Sequence, residues 1–204
     1  MLTLVADDQA TLSPREKIVL GELQAFYNTE AGPQAFQDLA TIKQAGTISF
    51  RLIDYTCTNY SKVKNTRFRF LSEKNKHESI INVHQEYLKK ASFFHKPLFD
   101  CFGRKAVSKP ITVCVAGNGD DKTHIGHMST TLAQLHFFSF LHNLRILTFI
   151  REHKTDIETH MSQAYKKRNE QRKQGGKKRK RLNVPNGAAT RQVSLAHVQS
   201  LTQL

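Results

Sequence analysis

Disulfide chemistry is the first thing this sequence lacks. Its three cysteines, Cys57, Cys101 and Cys114, are an odd number, widely spaced and without a C-x-x-C pair. That excludes a disulfide framework and points to a reducing compartment. Tryptophan is absent, so thirteen phenylalanines carry most of the aromatic mass. No apolar run approaches the roughly 18 residues that a membrane helix needs. The greasiest window, 131–150, is interrupted by His136, His142, Asn143 and Arg145, which suits a buried helix pair and no membrane partner. The N-terminus turns acidic at Asp7 and Asp8 with no basic region before it, unlike a signal peptide. A P-loop, a G-x-S-x-G elbow and a dinucleotide fingerprint are all missing. Asn118-Gly119 reads as a turn, no cofactor is implied, and no internal repeat is apparent.

Acidic residues are also scarce: 17 Asp and Glu stand against 31 Lys and Arg, for a net charge of +14. The excess is uneven. Residues 1–50 carry −3, residues 51–110 carry +8, residues 111–165 carry −1, and residues 166–181 alone carry +9. Such asymmetry is the footprint of a polyanionic partner.

At 204 residues the chain suits one domain with a real core. Residues 1–12 read as a loose lead-in. Ser13-Pro14-Arg15-Glu16 is a helix start, with a hydroxyl cap, proline in the first turn and an acid behind it. Ile18, Leu20, Leu23, Phe26 and Tyr27 follow at helical spacing until Gly32-Pro33. Phe36, Leu39 and Ile42 predict a second helix ending near Gly46. The stretch 47–60 fits either period, and a helix is favoured. Arg67-Phe-Arg-Phe70 alternates as a strand, residues 79–84 as a second strand, and 85–93 as a short helix. Pro97 and Pro110 bracket a loop. Ile111-Thr-Val-Cys-Val115 is β-branched and reads as a buried strand. Thr131 with Gln134 resembles a capping box, and helices are expected near 131–142, 144–153 and 155–172. The composition turns low-complexity after Gly175-Gly176. The fold class is therefore α+β: a small sheet with several helices, a helical C-terminal half and a flexible basic tail. The domain spans 13–165, the arm 166–192, and residues 193–204 form a short helix or a tail.

The arm holds the main binding candidates: Lys166, Lys167, Arg168, Arg172, Lys173, Lys177, Lys178, Arg179, Lys180 and Arg181. Phosphate contacts of this kind carry no base information, so binding would be largely independent of sequence. Lys177 to Arg181 also has the form of a nuclear import signal, which Lys166-Lys167 makes bipartite. DNA is preferred over RNA on that ground, and a nuclear import receptor is a second partner. The expected location is intracellular, in the nucleus where that signal is read. A plain solvated tail is the bland alternative. A second cationic group, Lys64, Arg67 and Arg69 with Lys62, Lys74 and Lys76, interleaves with Phe68 and Phe70. It reads first as an amphipathic strand with arginines in water, and second as a phosphate-binding face.

Two chemical sets are weaker. Asp120, Asp121, His124 and His127, near Cys114, have the residue types for a divalent ion, but Gly117, Gly119 and Gly126 mark a loop and no zinc spacing appears. His142-x-x-Arg145 with Tyr165 resembles the activating pair and nucleophile of tyrosine recombinases. Tyr165 follows too soon and an upstream arginine motif is missing. No metal and no catalytic residue is expected.

Several short pieces stand in a recognisable order. They are Arg51-Leu-Ile-Asp54 with Thr58-Asn-Tyr-Ser-Lys62, Asn82-Val-His84 with Tyr87, and Phe99-Asp-Cys-Phe102 with Arg104. Then come Thr130-Thr131 with Gln134-Leu135 and Phe137-Phe138, and Asp156-Ile-Glu158 with Met161. Together they resemble an uncharacterised protein family of large DNA viruses of algae and protists. The family favours aromatic or apolar residues near Thr56-Cys57, proline at Cys101 and cysteine at Gly103, so this chain would be a divergent member. The resemblance implies a viral origin and a shared mixed domain, and no activity. The residues themselves favour a nucleic-acid-associated protein over an enzyme. The alternatives are a virion or host-interaction protein whose arm serves import, and a DNA-processing enzyme.

Overall fold

The computed structural model describes residues 2–7, 11–71, 78–115 and 126–174. Strand β1 (Leu2–Ala6) lies in the segment expected to be a loose lead-in. Its alternation buries Leu2, Leu4 and Ala6, and it pairs antiparallel with β4 (Pro110–Val115), Leu4 opposite Val113. On the other side β4 pairs with β5 (Gly126–Thr131), giving the order β1-β4-β5. The central strand contributes fully buried Ile111 and Val113. Gly126, expected to mark a loop, starts β5 instead. Pairing with a β-branched neighbour outweighs the weak strand preference of Gly126-His-Met-Ser. The outer edge of β1 is closed by a side chain. Leu4 N–H donates to Gln24 Oε1 at 2.8 Å, and Gln24 Nε2 donates to the Leu2 carbonyl at 2.6 Å. An edge strand is thereby satisfied without another strand.

Gln24 belongs to α1 (Pro14–Tyr27), which begins with the expected capping box between Ser13 and Glu16. Val19, Leu23 and Tyr27, four apart, form its inner face. Helix α2 (Ala31–Ala45) buries Ala35, Leu39 and Ile42 and stops at left-handed Gly46. Gly32-Pro33, read as a break, sits in its first turn, where proline costs no hydrogen bond. The ambiguous stretch is helical. Ser49 caps α3 (Phe50–Tyr55), which passes through a π-helical segment, Thr56–Tyr60, into α4 (Ser61–Lys64). Thr56 and Thr58 hydroxyls each donate to the carbonyl four residues earlier, at 2.7 Å, a bond that competes with the regular ladder. A hairpin follows, β2 (Arg67–Leu71) and β3 (Glu78–Asn82), as a separate two-stranded sheet.

Helix α5 (Val83–Leu98) outruns its expected end at Phe93 and takes in Pro97. The proline leaves its mark: the ladder breaks at His95, with φ 55° and ψ 178°. A proline ring clashes with the carbonyl four residues back, here Phe93, whose oxygen accepts from the Arg15 guanidinium instead. Helix α6 (Leu132–Asn143) is the centre of the molecule. Leu132 through Leu141 are all buried, and α6 packs against α1, α2, α5 and α7 (Ile146–Glu152). Tyr27 hydroxyl donates to the Leu135 carbonyl at 3.1 Å, inside this core. Helix α8 (Lys154–Gln174) is the last described element. The fold is thus α+β, with helices dominant and small antiparallel sheets. The chain forms a compact unit over Met1–Lys167, with Arg168–Leu204 as a second unit.

Candidate nucleic-acid interface

Two cationic groups can be followed from sequence to structure. The first lies on α8. Its opening turns are anchored: Ile157 is fully buried, Tyr60 hydroxyl donates to the Asp156 carboxylate, and Tyr55 hydroxyl shares a 2.8 Å hydrogen bond with His160 Nδ1. Burial and then the Asp156 bond push the Tyr60 phenol up to about 12, so it stays a donor at any physiological pH. From Ser162 to Lys173 every side chain is exposed. Lys166, Lys167, Arg168, Arg172 and Lys173 fall in this stretch with a single acid, Glu170. At about 100° per residue, Lys166 and Lys173 share one side, Arg168 and Arg172 another, and Lys167 lies between them. Positive charge therefore runs all round the helix. None of the ion pairs found among the described residues involves these five side chains. Lys177, Lys178, Arg179, Lys180 and Arg181 lie outside the described residues, as do the expected tail and C-terminal helix.

The second group is on the hairpin. Arg67 and Arg69 are exposed, while Phe68 is half-buried with its ring 5.3 Å from Phe149. The alternation is the expected one, and Phe68 belongs to the packing rather than to a stacking platform. Between hairpin and α7 lies a cleft of about 390 Å³, lined by Arg67, Phe68, Arg69, Arg145, Phe149 and Glu152 among others. Arg145 was not among the sequence candidates for this surface. It joins α6 to α7 in the left-handed region, φ 52° and ψ 27°, a conformation that costs a non-glycine residue about 1–2 kcal/mol. Nothing in the sequence announces it, because the strain comes from two buried helices meeting at a fixed angle. Lys64 ends α4 as an exposed residue outside this lining. Lys74 and Lys76 lie outside the described residues.

Other cations of the +8 region already have work within the fold. Arg104 is held by Asp100, Lys89 by Glu86, and Arg51 lies 5.5 Å from the centre of the Tyr165 ring. The three recombinase-like residues sit in different surroundings. Tyr165 is beside Tyr55 and Arg51, His142 edges on Phe26, and Arg145 lines the hairpin cleft. Of the metal-type set, Asp120, Asp121 and His124 lie outside the described residues. Among the described residues no group of three or more His, Cys, Asp or Glu is placed to hold a metal ion, and no helix is long and apolar enough to cross a membrane.

Comparison with known proteins adds a lineage. The profile of a family of unknown function, DUF7197, matches residues 9–194. An uncharacterized protein of Acanthamoeba polyphaga mimivirus is 27% identical over 161 residues, covering 78% of this chain and 59% of its own length. This chain thus spans about three fifths of that relative. No solved structure matches. The likeness is to a viral protein that is itself uncharacterised.

Proposed function

From the premise that this chain belongs to the DUF7197 family, whose function is unknown, we propose that it is a nucleic-acid-associated protein of a large DNA virus of algae or protists. It binds DNA in preference to RNA, largely without regard to sequence, through the cations of α8 and the tail that follows. One observation carries this reading: the run from Ser162 to Lys173, exposed at every position, with five cations to one acid. A helix that is polar all round is not held by burial, and its cations are available to phosphates. Each phosphate neutralised releases condensed counterions, so about 5 to 8 contacts give a log–log salt slope of about −5 to −7. The cleft lined by Arg67, Arg69 and Arg145 is a separate cationic feature on the body. Lys177 to Arg181 directs the protein to the host nucleus.

The test is a salt-titrated anisotropy assay with double-stranded DNA, single-stranded DNA, RNA and heparin. Changing Lys166, Lys167, Arg168, Arg172 and Lys173 to Gln should lower DNA affinity at least about tenfold and flatten the salt slope by about 4. Stability should stay within about 0.5 kcal/mol, because the replaced groups are exposed. An unchanged DNA affinity would reduce the arm to an import signal, and heparin equal to DNA at every salt would leave only generic polyanion affinity.

A further inference from the structure

A second cavity lies where α3, the broken end of α5 and the turn before β4 meet. Its volume is about 450 Å³, within the range of small-molecule sites. The pieces that carried the family resemblance, far apart in sequence, come together here: Asp54, Tyr87, Phe99, Asp100, Phe102 and Arg104 all line it. Two local distortions frame it. The π-helical segment starts two residues after Asp54, and the ladder of α5 breaks at His95 just before Lys96 joins the lining. Both kinds of distortion concentrate at functional sites.

The charges are arranged by depth. Asp100 is buried and commits both carboxylate oxygens to Arg104, at 3.0 and 2.6 Å. That pair is neutral within itself. Asp54 is half-buried and makes no ion pair among the described residues; burial, and then Asp100, raise its pKa, against the weaker fields of Arg104 and Lys96. It is the open acceptor of the cavity. The walls are aromatic: Phe99 is buried, Tyr87 lies 6.1 Å from it ring to ring, and Phe102 stands 43% exposed at the rim. Lys96 is exposed. A ligand that satisfies this layout is flat and aromatic, offers N–H donors at one end, and carries an anion at the other. An organic cation would enter against Lys96 and Arg104. Inorganic phosphate would leave the aromatic walls unfilled and face Asp54.

We propose that this cavity binds a guanine mononucleotide, with the base against the aromatic side chains, its two adjacent N–H groups on Asp54, and its phosphate at Lys96. Guanine alone among the common bases presents two neighbouring donors that match both oxygens of one carboxylate. The site does not depend on the cationic arm. A free nucleotide and an unpaired guanine in a strand offer the same chemistry, since enzymes and binders read an extruded base by its edge and by stacking.

Isothermal titration of the full chain with GMP, AMP, guanosine, inorganic phosphate and spermidine decides the matter. GMP should bind, with AMP weaker by about tenfold or more, the discrimination typical of a two-bond base contact. Asp54→Asn should weaken GMP by a similar factor and erase the preference over AMP. Phe102→Ala, at an exposed position that folding tolerates, should weaken GMP and AMP together. Lys96→Ala should weaken GMP and leave guanosine unchanged. Competition by a short single strand with one guanine would assign the base to a strand, and its failure to compete would assign it to a free nucleotide. No GMP binding by the wild-type chain would overturn the proposal. So would GMP affinity indifferent to both Asp54→Asn and Phe102→Ala, or spermidine or phosphate binding as tightly as GMP. Heparin affinity of Asp54→Asn should equal wild type, which separates this result from the arm's.

Discussion

Helices α6 and α8, separated by the short α7, are opposites in chemistry. From Leu132 to Leu141, α6 has no exposed side chain, whereas among the described side chains of α8 only Ile157 is buried. Burial makes α6: about 25 cal/mol for each Å² of apolar surface removed from water, over a whole helix. The second half of α8 is held by local terms. Ala164, Lys166, Lys167, Arg168, Glu170, Gln171 and Arg172 are good helix formers, and Arg172 and Lys173 in the last turn oppose the negative end of the helix dipole. One helix is an organiser that shows only its last two residues to solvent. The other contributes little to the core and presents most of its surface to whatever binds it.

The largest effect should come from emptying the organiser. Phe138→Ala, at a site with no exposure, should cost about 3–5 kcal/mol in chemical denaturation. Ile157→Ala, at the one buried side chain among those described on α8, should cost about 2–4 kcal/mol and free the first turns of that helix to exchange amide hydrogens. A loss from Phe138→Ala no greater than that from Ile157→Ala would erase the contrast.

Acid should sharpen it. His136 is buried in α6, its Nδ1–H donating to the Leu98 carbonyl at 2.8 Å. Burial, ahead of the opposing hydrogen bond, lowers its pKa to about 4. The folded protein therefore keeps this imidazole neutral while the unfolded chain takes up a proton near the ordinary value of 6.5. The stabilisation is complete above pH 6.5 and is lost as pH falls toward 4, by about 3 kcal/mol in all. Unfolding midpoints measured from pH 7.5 to 4.5 should fall more steeply for wild type than for His136→Asn, which keeps a donor near the Nδ1 position. Parallel curves would show that α6 tolerates a charge.

The smallest effect concerns the junction of α6 with α7. Arg145→Gly relieves a left-handed backbone after α6 and should raise stability on the order of 1 kcal/mol. It should also weaken phosphate or DNA binding at the hairpin cleft. A gain in stability with unaltered binding would remove Arg145 from that surface and leave the strain without a functional reason.

Much of the fold was legible in the residues. The Ser13 box, the α6-to-α8 sequence of helices, the Arg67–Phe70 alternation and the β-branched run of β4 each carry a local signal strong enough to survive folding. The misses share a cause. Gly126–Thr131 has little strand character alone and becomes a strand beside β4, while Leu2–Ala6 alternates as a strand but finds its partner, β4, only through a contact across more than a hundred residues. At Pro97 the Phe93 carbonyl accepts from Arg15 of another helix, a contact that no local pattern announces. The exposed cations of α8 could be foreseen from composition. The Asp54 cavity could not, since its lining is gathered from residues up to 83 positions apart, Asp54 to Phe137.

By itself the sequence determined a helix-rich α+β core, a buried α6 and a cationic end, because periodicity, capping and charge act over a few residues at a time. Tertiary structure alone decided which strands pair, where the backbone is held in unfavourable angles, and which carboxylate is neutralised by Arg104 and which is left facing a cavity. Those outcomes depend on desolvation and long-range contact, and neither exists until the chain has closed on itself.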